Sequence, residues 1–198
     1  MFGSIGELAS GVDLTQDEAK SLKYATILAS FNNSSGFTMV MGYLNSNSQD
    51  WFNRNLAGLR TSHGRMLHLL NTHDHSDITV TFSDELMNWS WKKFIADKKN
   101  VHSDVKIDFL ANNHFGVSGT LGISLDGMEE RQYLDQTVSL LRVKEHLLIP
   151  SLNFAYDNFY WVDPSSGFVW QSLQKWGPDT TELYYQVAQP WLDVEWPK

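Results

Sequence analysis

The chain has 198 residues, with 15 Lys plus Arg against 23 Asp plus Glu, for a formal net charge of −8. That length suffices for one domain with a sizeable core, and charge of that sign repels phosphate backbones, which argues against nucleic-acid binding. Apolar residues are 42% and aromatics 13% of the chain, too many for disorder, and no apolar run is long enough for a membrane-spanning helix. With no cysteine there is no disulfide, thiolate catalyst or Cys-ligated metal, although the compartment stays open.

Residues 1–12 are small and weakly patterned, without the basic and apolar regions of a signal peptide, and read as a flexible N-terminal segment. Thr15-Gln16-Asp17-Glu18 has capping-box spacing and predicts a short helix over about 16–22. From there the dominant period is two. Ile27, Ala29 and Phe31 share a face, a turn follows at 32–36, and Phe37, Met39, Met41 and Tyr43 share a face of the return strand. A second hairpin spans Leu59 to Leu69 around Ser62-His63-Gly64, where Gly64 supplies the positive φ of a tight loop. Ile78, Val80 and Phe82 alternate with polar residues, as do Val101, Val105, Ile107 and Phe109. Between them, residues 84–99 fit either an amphipathic helical turn or a long loop.

In the second half, strands through Val117–Leu125 and Tyr133–Leu141 flank Asp126-Gly127 as a turn pair. Phe154–Val162 and Phe168–Gln174 flank Asp163-Pro164-Ser165-Ser166-Gly167, the clearest hairpin of the chain, and a last strand lies near 182–188. About ten strands without βαβ spacing predict an all-β single domain over 1–198: an antiparallel curved sheet, sandwich or partly open barrel, with a short N-terminal helix.

Chemistry is sparse. The glycine-rich run 116–122 lacks a phosphate-loop ending, and no nucleophile elbow is present. His73, His75 and Asp77 would share a face if extended, but lack a specified fourth ligand and read as a polar turn, so neither metal nor other cofactor is expected. The cations around Trp89, Trp91 and Phe94 read as a solvated face. The aromatic excess is the most informative feature. Phe154, Tyr156 and Tyr160 fall on one face of their strand and Phe159 and Trp161 on the other, so one set must meet a second packed layer or lie near solvent. Trp161, Asp163, Trp170, Gln171 and Trp176 are accordingly the candidate binding residues, rings beside polar groups as sugar stacking uses, with plain two-layer packing as the competing account.

Three stretches in this order resemble the capsule and exopolysaccharide lipoprotein family of Gram-negative bacteria, with members such as GfcB and YjbF. They are the hairpin from Tyr24-Ala25-Thr26-Ile27 to Val40-Met41-Gly42-Tyr43, the stretch Leu59-Arg60-Thr61-Ser62-His63-Gly64-Arg65-Met66-Leu67, and Phe159-Tyr160-Trp161-Val162-Asp163 through Gly167-Phe168-Val169 with Gln171-Ser172 and Gly177-Pro178. The resemblance spans about Asp13 to Pro190. It implies a periplasm-facing protein held at the outer membrane by lipid on an N-terminal Cys, which this sequence lacks. It also implies a non-catalytic accessory role in polysaccharide assembly or export, with polysaccharide and secretion proteins as partners and no catalytic residues to carry over. A carbohydrate-active enzyme of the same system is the alternative, to be told by carboxylates clustered in a cleft; a lipid carrier would show a deep apolar cavity.

Overall fold

Period-two sequence joined by short turns pairs each strand with its neighbour in the chain. In the computed structural model, which describes residues 14–55, 57–70 and 77–198, the strands are β1 (Thr26–Phe31), β2 (Phe37–Leu44), β3 (Gln49–Phe52), β4 (Gly58–Ser62), β5 (Arg65–Leu70), β6 (Ile78–Phe82), β7 (Val101–Phe109), β8 (His114–Tyr133), β9 (Gln136–Ile149), β10 (Phe154–Val162), β11 (Val169–Gln174) and β12 (Leu183–Gln189). Each is antiparallel to the next, and β12 returns to β1 with Ala29 opposite Tyr185, so the sheet closes into a barrel. Closure pairs the edges that an open sheet exposes.

The all-β class and the short N-terminal helix hold. Helix α1 (Gln16–Lys20) starts at a capping box in which Thr15 Oγ1 accepts the Glu18 N–H and the Glu18 carboxylate accepts the Thr15 N–H. Two expectations are corrected. Among the described residues there are twelve strands rather than about ten, in a closed barrel rather than a sandwich or partly open one. Strand β3 escapes pattern reading because it has four residues and carries Asp50, whose charge is met by a bidentate bond from Arg60 on β4 at 2.6 and 2.9 Å. Secondly, Asp126-Gly127 is not a turn. The β8–β9 register shifts between Leu125 and Gly127, so the pair forms a bulge, with Gly127 at φ +105°, and the chain reverses only after Tyr133.

That bulge lets the far end of the β8–β9 hairpin lie across the barrel wall. Arg131 Nε donates to Gln171 on β11 at 3.0 Å, Gln171 Nε2 donates to the Gln132 carbonyl at 2.8 Å, and Tyr133 Oη donates to the Val187 carbonyl on β12 at 2.7 Å. Helix α1 joins the same layer through Gln16 N–H to Asp135, and the C-terminal segment through Ser139 N–H to the Lys198 carbonyl. Strands β1, β11 and β12 are therefore buried on both faces, whereas β2 and β7 alternate.

Residues 84–99 resolve as two short helices, α2 (Asp84–Met87) and α3 (Trp91–Asp97), capped by Ser83 and Ser90. They send Trp89, Trp91 and Phe94 into the core and keep Lys92, Lys93, Lys98 and Lys99 exposed.

Because Trp161, Trp170 and Trp176 are all at most 1% exposed, changing each to Ala should cost about 3–5 kcal/mol. Urea unfolding checks this; a cost below about 0.5 kcal/mol at any of them would show a surface ring instead.

Candidate functional site

The turn between β4 and β5 is built from His63 and Gly64, at φ +49° and +83°, with Ser62 opposite Arg65. Two positive φ values in a two-residue loop are what a tight hairpin requires. At Gly64 only glycine fits, because a Cβ there would stand 2.8 Å from the Val169 side chain. The Gly64 carbonyl accepts from Gln174 Nε2 at 2.9 Å and from Tyr185 Oη at 2.8 Å, and Gln174 Oε1 takes the Met66 N–H at 2.8 Å.

The next residue, Arg65, turns into the barrel, where it is 1% exposed. Its Nε donates to Glu145 Oε2 at 2.7 Å, and Tyr160 Oη donates to Glu145 Oε1 at 2.8 Å. The terminal guanidinium nitrogens have no hydrogen-bond acceptor. Rings take that place: Trp91 at 4.4 Å, Trp89 at 5.1 Å, Tyr160 at 5.6 Å and Phe82 at 6.0 Å from the guanidinium carbon. Desolvated cation–π contacts of this kind are worth roughly 2 kcal/mol or more. The Trp91 ring is itself fixed by an N–H to the His63 carbonyl at 2.7 Å.

Above this closed lumen lies a cavity of about 540 Å³. One wall is the β4–β5 turn with Trp91. Another is Ser166 to Val169 of the β10–β11 turn, and the rest comes from the β2–β3 turn and a C-terminal strap carrying Trp191, Leu192 and Val194. The β10–β11 turn is set by Asp163: Oδ1 accepts the N–H of Ser165 and of Ser166 and the Ser165 hydroxyl at 2.6–2.8 Å. Burial works to raise the Asp163 pKa, but these three donors outweigh it and hold the carboxyl below the usual range. Gly167, at φ +76°, packs so closely on α3 that a Cβ would meet the Lys92 N at 2.7 Å.

Trp191 is packed edge-on against Trp51, with centroids 5.4 Å apart, and tilted against Phe168 at 5.1 Å, and it remains half-buried. Trp51 Nε1 donates to Thr61 Oγ1, which donates to Gln49 Oε1. His63 contributes a ring whose Nε2 is buried without a partner, so its bond to the Met87 backbone runs through Nδ1. Burial, with Arg65 nearby, lowers its pKa and keeps it neutral at pH 7. None of the described lining residues is an Asp, Glu, Lys or Arg.

Of the five candidate binding residues, only Asp163 reaches the surface, at the turn beside this cavity. Trp161 lies under the β8–β9 arm, its Nε1 donating to Glu129 at 3.0 Å and the Arg131 guanidinium 4.0 Å from its ring. Trp170 packs on Tyr133 and Trp196, Trp176 on Phe82, and Gln171 bridges Arg131 to Gln186. The double-faced aromatic pattern is thus met at Trp161, Trp170 and Trp176 by a second packed layer, and the rings that line the cavity are Trp91, Phe168 and the half-buried Trp191. Trp191 lies between Pro190 and Pro197 in a stretch without period-two alternation, so strand patterning gives no signal for it. His73 and His75 fall outside the described residues; among the described residues, no group of three His, Asp or Glu is placed to hold a metal.

The family model for the group 4 capsule polysaccharide lipoprotein GfcB, YjbF matches residues 5–187, and the chain belongs to that family. It is one of lipoproteins, membrane-anchored proteins of the cell envelope, with a capsule-related role. The uncharacterized lipoprotein GfcB of Escherichia coli (strain K12) is 25% identical over 182 residues, covering 90% of this chain and 82% of that one. The crystal structure of the hypothetical lipoprotein YmcC from the same species superposes with a TM-score of 0.73 at 21% identity, over 90% of each chain, and shows the same fold.

Removing one partner of a buried ion pair strands the other, so Arg65→Met and Glu145→Gln should each cost about 3–5 kcal/mol, and the double variant clearly less than their sum. Urea unfolding of the three variants decides it; additive costs would mean the pair is not coupled.

Burial also raises the phenols of Tyr133, Tyr160, Tyr184 and Tyr185 above the ordinary tyrosine value, Tyr184 to about 12, with Glu145 adding to the effect on Tyr160. In the unfolded chain they ionise near ~10. The unfolded state thus sheds protons first, and stability present below that pH is lost as pH rises beyond it. Phenolate absorbance from these four should appear only together with unfolding; its appearance in folded protein at the ordinary pH would contradict their burial.

Proposed function

We propose that the protein is a non-catalytic, periplasm-facing accessory factor in capsule or exopolysaccharide assembly or export, tethered to the outer membrane by an N-terminal lipid and acting by contact with glycan or secretion partners. The family supplies the capsule setting. The observation that carries the reading is the mouth cavity, where Trp91, Phe168 and Trp191 stand beside Asn45, Asn47 and Gln49 with no carboxylate among the described lining residues. Glycoside hydrolysis in its common form needs two carboxyl groups facing each other across the bond, roughly 5–9.5 Å apart. Rings beside amides instead suit stacking and hydrogen bonding without bond cleavage. A lipid carrier is less well supported, since the lumen beneath is filled by Arg65 and its rings.

Deleting the gene in its host should reduce surface polysaccharide, and a wild-type copy should restore it. Unchanged polysaccharide in the deletion strain would refute the capsule role. Incubating purified protein with the host polysaccharide should leave its chain length unchanged by size-exclusion chromatography; shortening would install the enzyme reading.

A further inference from the structure

The glycan-contact reading rests on the mouth cavity as a whole, and its wall chemistry says more about what it selects. Every described lining residue is apolar, aromatic, amide, hydroxyl, glycine or a neutral imidazole. The cation behind the wall, Arg65, is 1% exposed and already paired with Glu145, while Lys92, whose backbone packs on Gly167, lies outside the lining and is exposed to solvent. A carboxylate entering here would leave water without gaining a cation, a cost of several kcal/mol for a buried unpaired charge. The chain's net charge of −8 adds repulsion of the same sign.

The cavity offers an uncharged ring what it withholds from an acid. At about 540 Å³ it falls within the ~300–1,000 Å³ range of small-molecule sites. Trp191 is braced by Trp51 and Phe168 yet half-buried, which leaves part of a rigid indole for the apolar face of a pyranose. The Gln49 oxygen is engaged by Thr61, so this side chain turns its amide N–H groups to other acceptors. Asn45 and Ser46 sit on the exposed β2–β3 turn at the rim. We infer that the barrel-mouth cavity binds an uncharged pyranose unit of a glycan chain, stacked on Trp191 and hydrogen-bonded by the Asn45 and Gln49 carboxamides, and that it rejects uronic acids. This inference deepens the proposed function and rests on it.

The test measures binding of the purified 198-residue chain to two sets of probes by intrinsic tryptophan fluorescence and saturation-transfer NMR. One set is neutral, the hexasaccharides of the cello, malto, β-1,3-gluco and N-acetylglucosamine series; the other is acidic, the hexamers of polygalacturonate and alginate. At least one neutral series should bind, at least tenfold more tightly than either uronate. Trp191→Ala should weaken that binding at least tenfold and Asn45→Ala about threefold; the latter lies on an exposed turn, so it keeps the test open if the former fails to fold. Uronates bound as well as or better than neutral sugars would overturn the selectivity while leaving glycan contact intact. Binding untouched by Asn45→Ala and Trp191→Ala would move the site elsewhere. Binding of neither set would remove this inference and glycan contact with it, whereas the gene-deletion result would still decide the capsule role separately.

Discussion

A single buried cation constrains the barrel. Taking the Arg65 guanidinium out of water costs several kcal/mol, and one ion pair rarely repays that. Here the return comes from five residues on four parts of the chain at once: Glu145 of β9, Tyr160 of β10, Phe82 of β6, and Trp89 and Trp91 of the segment between β6 and β7. These groups meet only when the sheet is closed and the helical insert is seated, so the charge ties closure to plugging. A neutral side chain of similar volume would fill the space without demanding that arrangement. The charge thereby specifies the fold more than it stabilises it.

The second constraint is the bulge at Asp126. It redirects a twenty-residue strand so that its far half covers β11 and β12 instead of continuing into solvent. The covering layer carries its own polar links, with Arg131 stacked on Trp161 and bonded to Gln171, and Arg142 joining Asp126 to Glu129. An uncovered β11 and β12 would expose large rings, a known aggregation hazard. The covered wall explains why strands with apolar residues on both faces belong to this barrel.

How much of this was legible in the sequence follows from which forces are local. Strand positions other than β3 and the β8–β9 reversal, the α1 cap and the Gly64 turn depend on neighbouring residues and on φ preferences, and are legible directly. Bulge and turn share a signature at Asp126-Gly127, since both need a residue at positive φ, and only the partner strand distinguishes them. Barrel closure between β1 and β12 is a contact across nearly the whole chain, with no local mark. At the candidate rings, parity tells only that two faces are occupied. It does not tell whether the second face meets solvent or protein. Nothing local in the family-like turn shows that Arg65 points inward, because its partners lie 80 residues or more away, in the ambiguous insert 24 and 26 residues on, or at the end of β6, 17 residues on.

The mouth cavity inherits its properties from these two constraints unequally. Its wall at Ser62 to Gly64 is rigid, because the Gly64 carbonyl is held by Gln174 and Tyr185 and the following residue is the caged arginine. Its wall at 163–168 is rigid too, locked by Asp163 within the turn and by the close approach of Gly167 to Lys92. The strap is different. Near Trp191 it is held by ring contacts with Trp51 and Phe168, and it is not part of any strand. The strap near Trp191 has no sheet ladder to break, so it can shift at the cost of ring contacts, whereas either turn would have to lose several hydrogen bonds to move. Ligand entry is therefore expected to displace the strap against two fixed walls. Fixed walls keep the ordering cost of any binding there low.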